Sequence, residues 1–419
     1  MSRILYPFEK ECIREKTSIQ LSLKISDPKK INSFVQNIIN FFPAFRLKTD
    51  GENLIKCSNS DPIKILKLPS GLNLDSSNQW IKQHINPYSK SLATIACNHD
   101  TITFDINNSI ADTILIAQGI DKLQFDNLTV NSDFPIALEQ FYSAQIEDTD
   151  TTISPIEHDL RATTLYSTFQ KEKLSQFSTK QISIPLSELC CYIQKDSYQT
   201  LHRSAESLLL AQSLSTIAHN GFHLSKIYNP EKDEKGDIIF PFGCDLTCTL
   251  RRYLGPEKTN PNYSSFYSHF LVYVNPSVTT TLNNAASFLR ENIAYGADYG
   301  VLYGPLNHRI RGIKPKMLGQ GVLIGVRKLG QLNLPDGIED ASFGTANSVL
   351  HPVLYLNEYT VQKNDKQNGK MKLWYDHPGI KEEDVNNMMK SVCYAMKNMK
   401  WNSSIKDTIN EIIQFQQKH

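Results

Sequence analysis

Segments with the two-residue period of β-strands and segments with the 3.6-residue period of α-helices are intermingled along this chain of 419 residues. The stretch "TSIQLSLKIS" alternates apolar and polar residues, which predicts a strand over residues 17–26. From Leu201 to Ala218, apolar residues recur every three or four positions, which predicts a helix. Because both periods occur with hairpin and crossover spacings, we predict a mixed α/β (α+β) sandwich in two lobes.

Further segments fit this reading. Asp27 and Pro28 are suited to start a helix that Pro43 ends, and a strand pair turning near residues 98–100 leads into a helix from about Ile110 to Leu123. Later strands and a closing helix are predicted from "KQISIPLSEL", "IIFPFGCDLTCTLRRYL", "FYSHFLVYVN", "GQGVLIGVRKLGQLNL", "SVLHPVLYLNEYTVQ", "GKMKLWYDHPGI" and "KEEDVNNMMKSVCYAMKNM". We place the lobe boundary between residues 150 and 185. The N-terminal lobe is assigned to 1–165 and the C-terminal lobe, with crossover segments, to 166–419.

Composition limits the partners and the location. Apolar residues make up 40% of the chain and charged residues 21%, so the chain can bury a substantial core. A net charge of +1 gives no electrostatic argument for a nucleic-acid partner. The start "MSRILYPFEKECIREK" lacks the apolar segment of a secretory signal, and no run approaches the ~18 apolar residues of a membrane span. A cytoplasmic monomer without a membrane span is therefore expected.

Eight cysteines are scattered through the chain without the spacing of a disulfide framework. Cys244 and Cys248 come nearest to a ligand pair, but no second pair or histidine cluster follows at zinc spacing. We therefore predict reduced thiols, no metal site and no permanently bound cofactor.

The stretch "DINNSIADTILI", residues 105–116, has the shape of a strand, a tight turn and a helix. Asparagine and serine before a helix are favourable N-terminal residues in any protein, so the stretch alone is compatible with an ordinary helix start. Its interpretation depends on its position in the order of the other predicted segments.

The order of the segments resembles the acyltransferase superfamily that contains chloramphenicol acetyltransferase, peptide synthetase condensation domains, fungal alcohol O-acetyltransferases and plant BAHD acyltransferases. "SLATIACNHDTITFDINNSIADT" resembles the strand pair that delivers the His-x-x-x-Asp motif of that superfamily. The other matching segments are "FFPAFRLKTDGENLIK", "SYQTLHRSAESLLLAQSL", "CDLTCTLRRYLGP", "VRKLGQLNL", "DASFGTANSV" and "GKMKLWYDHPGIKEEDVNNMM".

The resemblance implies two chloramphenicol acetyltransferase-like lobes that meet along a V-shaped cleft crossed by a central tunnel. A thioester donor, an acyl-CoA or an acyl-carrier thioester, would enter from one face as co-substrate. An acceptor alcohol or amine would enter from the other, and a carrier or partner protein is an open possibility.

In that family, the motif histidine is the general base, and the aspartate pairs with an arginine to brace the loop. The resemblance puts the histidine position at Asn108, the aspartate at Asp112 and the final glycine at Thr113. Asn107 takes the place of the additional leading histidine of many condensation domains. Three arginines are candidate partners of the aspartate: Arg251, Arg252 and Arg327.

The motif is degenerate, because the Asn108 amide has no titratable lone pair and cannot act as a base. Ser342 and Thr345 depart from the Asp-Phe-Gly-Trp-Gly motif, and Arg327 with Lys328 replaces Ser-Asn, where two cations would suit a phosphate-bearing cofactor. The candidate tunnel residues are Asn107, Thr113, His269, Arg327, Phe343 and Gly344. Among the histidines, His269 is the first to test as a substitute base.

Three functions stay open at this point. The first is an acyltransferase of condensation or alcohol O-acetyltransferase type, with catalysis impaired or altered by Asn108. The second is a catalytically inactive binding or recruitment protein. The third is an enzyme of the same fold whose reaction needs no base at this position.

Overall fold

The computed structural model describes residues 1–58, 62–85, 90–123, 128, 130, 133–141, 164–165, 176–195, 198–220, 232–239, 242–251, 254, 260–298, 322–346, 353–363 and 369–419. It confirms a mixed α/β chain built on two main sheets. Most of the segment in which we placed the lobe boundary lies outside the described residues, so the two lobe ranges stay predictions.

The N-terminal sheet has five strands in the order β16-β2-β7-β6-β5, where β16 is Ile338–Ala346 from the second half of the chain, and a smaller sheet has the order β1-β4-β3. The strands from this part of the chain are β1 Ser2–Ile4, β2 Ser18–Ile25, β3 Leu47–Thr49, β4 Asn53–Lys56, β5 Ile65–Lys67, β6 Ala93–Cys97 and β7 Thr101–Asn107. The helices are α1 Pro7–Arg14, α2 Ile31–Phe41, α3 Leu74–His84 and α4 Thr113–Ile120.

The C-terminal sheet has eight strands, with the path β10-β18-β17-β15-β13-β14 and with β8 beside β15 and β9 beside β18. The remaining strands are β8 Thr164–Leu165, β9 Gln176–Ser178, β10 Ile182–Pro185, β11 Tyr192–Lys195, β12 Tyr198–Leu201, β13 Phe242–Thr249, β14 Tyr267–Val274, β15 Val322–Leu334, β16 Ile338–Ala346, β17 Val353–Lys363 and β18 Lys370–Pro378. The helices are α5 Ser204–Asn220, α6 Leu282–Asp298, α7 Glu382–Asn398 and α8 Ile405–Lys418.

Each main sheet packs one apolar face against helices, and Tyr359 and Trp374 on the other face of the C-terminal sheet belong to the N-terminal core. In the N-terminal sheet, alternate residues of β2 and β7 such as Leu21 and Phe104 belong to the same core as residues of α2 and α4. In the C-terminal sheet, residues such as Val326 and Leu356 share a core with α5, α6, α7 and α8. The two-residue period of the strands therefore sends their other side chains to the opposite faces.

Strand β16 joins the two halves of the chain. It follows β15 of the C-terminal sheet along the sequence, but it pairs antiparallel with β2, so that Ser342 lies opposite Ser22 and Gly344 opposite Gln20. The N-terminal sheet is therefore completed by a strand from the C-terminal half of the chain.

Two helix starts differ from prediction. Helix α4 begins at Thr113 rather than near Ile110, because Asp112 is extended (φ −105°, ψ 169°) and its side chain caps the helix. Helix α5 begins at Ser204, because β12 forms a hairpin with β11 up to Leu201. Helices α1, α3 and α8 were not predicted. None of the described helices has both the length and the apolar composition needed to cross a bilayer.

Candidate functional site

The Asn107–Ile110 stretch at the end of β7 is a hydrogen-bonded turn. The Ile110 amide donates to the Asn107 carbonyl at 3.0 Å, and the Ser109 amide donates to Asn107 Oδ1 at 2.9 Å. This combination of a backbone bond and an asparagine side-chain bond is common where a strand reverses into a loop. Asn108 is the second residue of this turn, and its backbone amide donates to the Thr17 carbonyl at 3.0 Å.

Asn108 is partly buried, but its side-chain oxygen is shielded from solvent. Among the described residues, Oδ1 of Asn108 has no hydrogen-bond partner. An unsatisfied buried acceptor costs about 1–3 kcal/mol, so the unpaired Asn108 oxygen lowers the free energy of unfolding. A ligand that donates a hydrogen bond would remove that cost.

Asp112 is held by three hydrogen bonds. Its Oδ1 accepts from the Leu115 amide at 2.8 Å and caps α4, while its Oδ2 accepts from Arg251 Nε at 2.6 Å and from the Phe266 amide at 2.9 Å. The carboxylate thus links the start of α4 to the segments that follow β13 and precede β14.

Arg251 is the described arginine that pairs with Asp112, and it is itself 1% exposed. Its Nη2 donates to the carbonyls of Tyr263 at 3.0 Å and Ser264 at 2.5 Å. The sequence had left Arg251, Arg252 and Arg327 as alternatives; Arg252 lies outside the described residues. A buried pair satisfied in this way holds the loop from Asn108 to Asp112 against the C-terminal sheet.

Two other predicted site residues lie on the first turn of α4 and on β14. Thr113 is the first residue of α4 and is partly buried. His269 lies on β14 opposite Thr247 in the strand pair, and its side chain is outside the described set. Of the remaining histidines, His99 is exposed beside Asp100, and burial lowers the pKa of His219, whose imidazole is 3.7 Å from Asp384. His223, His308 and His351 lie outside the described residues.

Arg327 and Lys328 project from opposite faces of β15, as strand geometry requires for neighbours. The Arg327 guanidinium lies 3.5 Å from the centroid of the Tyr355 ring. Lys328 instead forms an ion pair with Glu358 at 3.0 Å. The two cations therefore do not form the joint phosphate site that their adjacency in sequence suggested.

The two candidates on β16 are closely packed. Phe343 is fully buried, and its ring meets that of Tyr359 edge to face at 5.1 Å. A Cβ on Gly344 would lie 3.1 Å from Gln20 Oε1 and 3.2 Å from Asn78 Cβ, so the backbone of β16 approaches these side chains closely. Strand β2 lies between β16 and β7 in the sheet, so both residues are two strands away from β7.

Ser109, Ser264 and Ser265 were missed by sequence reasoning. All three are buried, and their hydroxyls have no partner among the described residues. They lie next to Asn108 or next to the carbonyl and amide groups that bind Arg251 and Asp112. No pattern in the sequence distinguishes them from ordinary loop serines.

Solved structures share this fold. No family model and no curated protein matches the sequence. A single-residue mutant of the starter condensation domain of rhizomide synthetase, in complex with C8-CoA, matches with a TM-score of 0.62 and 10% identity over 97% of each chain. The epimerization domain from the third module of tyrocidine synthetase B matches with a TM-score of 0.56 and 13% identity, over 99% of this chain and 98% of that one.

A third similar structure is polyketide synthase associated protein 5 from Mycobacterium tuberculosis, with a TM-score of 0.55 and 12% identity over 94% of this chain and 98% of that chain. At these identities the likeness concerns the fold. It agrees with the two-lobed architecture that the order of the sequence motifs implied. The chain therefore has the fold seen in these condensation and epimerization domains.

Proposed function

We propose that the protein is an acyltransferase of condensation type, which moves an acyl group from a CoA or carrier thioester to an acceptor amine or alcohol. The observation that carries the proposal is the braced loop: Asp112 and Arg251 hold it, and Asn108 Oδ1 is a buried acceptor without a partner among the described residues. A solved structure of the same fold contains C8-CoA, which supports a thioester donor.

The chemistry favours an amine as acceptor. A neutral amine attacks the thioester carbonyl carbon; the C–N bond forms, the C–S bond breaks to release a thiolate, and the proton lost by the amine passes through water to that thiolate, which leaves as the thiol. Asn108 Oδ1 can accept a hydrogen bond from the amine and orient its lone pair, but it cannot remove the proton. An alcohol depends more strongly on a base, whose loss costs about 10²–10⁴ in rate.

The alternative is a binding or recruitment protein without catalysis. It is favoured by one specific observation, the absence of a titratable group at residue 108. In that case, the braced loop would bind a thioester or an amine without turning it over.

Acyl transfer from a panel of acyl-CoAs to amines and alcohols tests the proposal. We expect wild type to acylate amines, and Asn108→Ala to lower kcat/KM about tenfold, the value of one neutral hydrogen bond. Asn108→His should raise the rate with alcohols and add an ionisation near pH ~6.5 that wild type lacks. Asp112→Ala should lower activity with both acceptors, because the loop loses its brace.

A silent wild type that gains activity in Asn108→His contradicts the proposal and identifies a degraded enzyme. Isothermal titration of wild type with the same acyl-CoAs separates the alternatives further. Binding without turnover supports the recruitment function.

A further inference from the structure

A row of four residues crosses the C-terminal sheet on one face. In the strand registers, Thr247 of β13 lies opposite Arg327 of β15, Arg327 opposite Asn357 of β17, and Asn357 opposite Trp374 of β18. Side chains that lie opposite each other in neighbouring strands project to the same face, with strands about 4.8 Å apart. Arg327 and Asn357 are therefore direct neighbours, and so are Asn357 and Trp374.

This face is turned toward β16 and the N-terminal sheet. Tyr359, two residues after Asn357, donates its hydroxyl hydrogen to the Ala341 carbonyl of β16 at 3.1 Å, and its ring lies 5.7 Å from that of Trp374. On the same face, Asp376 binds the Thr345 hydroxyl of β16. The helices α5 to α8 cover the opposite face, so the row lies between the two sheets.

Two members of the row carry a buried polar atom without a hydrogen-bond partner among the described residues: one atom is an acceptor and the other a donor. Asn357 is fully buried; its Nδ2 donates to Asp376 Oδ2 at 2.9 Å, whereas its Oδ1 has no partner among the described residues. Trp374 is 1% exposed, and its Nε1–H also lacks a described partner. A buried acceptor and a buried donor thus belong to two residues that lie opposite each other in neighbouring strands.

The pair selects one kind of ligand group. A group that binds both atoms must donate to Asn357 Oδ1 and accept from Trp374 Nε1. A hydroxyl or a carboxamide does both, whereas an ammonium has no lone pair to accept with and a carboxylate has no hydrogen to donate. The Arg327 guanidinium, next to Asn357 in the row, repels a cation.

Arg327 is fixed by its surroundings. Its guanidinium lies over the ring of Tyr355, whose hydroxyl donates to Asp245 Oδ2 at 3.0 Å. Gly325 lies opposite both Asp245 and Tyr355, and because it has no side chain the phenol can reach across β15. Burial raises the pKa of Tyr355 above its ordinary value, so this phenol stays protonated. Arg327 itself is partly exposed, which puts it on the accessible side of the row.

The row is close to the Asn108 loop. Arg251, which binds Asp112, follows β13, and a Cβ on Gly330 of β15 would lie 3.0 Å from Ile114 of α4. Gly330 lies three residues after Arg327, within an irregular part of β15 where the register with β17 shifts, so the two are at most about 10 Å apart along the strand. The row and the Asn108 loop are therefore connected through β15 and through Arg251.

We propose that Asn357 and Trp374, with Arg327 beside them, form a subsite that binds the neutral hydroxyl or carboxamide end group of the acceptor substrate. This rests on the proposed function for the identity of the substrate, but the binding itself needs no turnover. Asn357 and Trp374 then determine which acceptors are preferred.

Fluorescence tests the binding directly. The chain has three tryptophans, so Trp80→Phe with Trp401→Phe leaves Trp374 as the sole indole. This variant is titrated with alkylamines of equal chain length, in short, medium and long series, that end in a hydroxyl, a carboxamide, a methyl, a carboxylate or an ammonium group. We expect a saturable change in emission for the hydroxyl or the carboxamide end and none for the other three. An equal response to the methyl-ended amine indicates a resident water at the pair and overturns the proposal.

Kinetics provide the second readout. Trp374→Phe should reduce the preference in kcat/KM for the hydroxyl- or carboxamide-ended amine over the methyl-ended amine by about tenfold. Trp401→Phe is the matched control, because Trp401 Nε1 already donates to the Cys190 carbonyl at 3.3 Å, and it should leave the preference unchanged. Turnover with no preference in wild type overturns the subsite alone. End-selective emission changes without turnover support the subsite and contradict the proposed acyl transfer.

Discussion

Asp105 lies on β7, three residues before Asn108, and shows how a single residue depends on its surroundings. It occupies the polar face of the N-terminal sheet and is 5% exposed. Gln20 Nε2 donates to its Oδ1 and also to Ser18 Oγ. Burial raises the pKa of Asp105 from 3.8 to about 6, while the bonds from Gln20 and Ser18 and the charge of Lys82 act in the opposite direction.

This pKa shift predicts a pH dependence of stability. Between pH ~4 and ~6 the folded state binds more protons than the unfolded state, so stability falls as the pH rises through this window. Raising the pKa of Asp105 from 3.8 to about 6 corresponds to ~3 kcal/mol in the free energy of unfolding. Asp105→Asn should therefore be more stable than wild type above pH ~6, by up to ~3 kcal/mol, in urea unfolding curves.

Asp100 is the control with the opposite sign. A hydrogen bond from Lys24 lowers the pKa of Asp100, so its contribution is present above its unfolded pKa and is lost as the pH falls. Asp100→Asn should lose stability at neutral pH. Equal pH profiles for wild type and Asp105→Asn would refute the assignment of the window to Asp105.

At the scale of elements, the packing of α4 against α2 positions the loop. Gly119 of α4 faces the aromatic pair at the end of α2: a Cβ there would lie 2.7 Å from Phe42 Cζ and 2.8 Å from Phe41 Cε1. Real Cβ atoms do not approach carbon so closely, and the rings are in turn packed on each other at 4.9 Å. The glycine is therefore required by the contact between helices rather than by the helix itself.

Gly119→Ala tests this contact. Helix propensity favours alanine by about 1 kcal/mol, but the overpacking should outweigh it and destabilise the protein by about 1–3 kcal/mol. Phe42→Leu in the same chain should recover part of the loss, as measured by thermal unfolding of both single variants and the double variant. A Gly119→Ala protein as stable as wild type would show that α4 is free to move away from α2.

At the scale of the whole molecule, the two sheets are joined by β16 and by the buried pair of Arg251 and Asp112. The pair spans 139 residues of sequence. Taking two charges out of water is costly, and the attraction repays it only when the remaining hydrogen bonds are satisfied. Here both ions have such bonds, to the Phe266 and Leu115 amides and to two carbonyls.

Arg251→Ala should therefore destabilise the fold by about 3–5 kcal/mol, because it leaves the Asp112 carboxylate buried without its counter-ion. Arg290→Ala is the matched control: Arg290 pairs with Glu206 at 2.6 Å but its side chain is 50% exposed, and its loss should cost ~0–1 kcal/mol. Chemical unfolding of both variants measures the difference. Equal losses would mean that the Arg251 pair contributes no more than a surface contact.

The sequence by itself determined the periods of most strands and helices, the order of motifs that predicted the fold, and the chemistry of Asn108, since an amide cannot titrate wherever it lies. The sequence was less informative about where helices begin. Helix α4 begins at Thr113 because Asp112 is extended and caps the helix, and the periodicity of apolar residues does not reveal such local hydrogen bonds.

The tertiary structure alone decided which arginine meets Asp112, because Arg251 and Arg327 carry the same charge and differ only in where their strands are placed. It also decided that β16 completes the N-terminal sheet, that Arg327 and Lys328 face opposite sides, and that burial raises the pKa of Asp105 to about 6. All of these depend on burial and on contacts between residues far apart in the chain, which local patterns of residues do not specify.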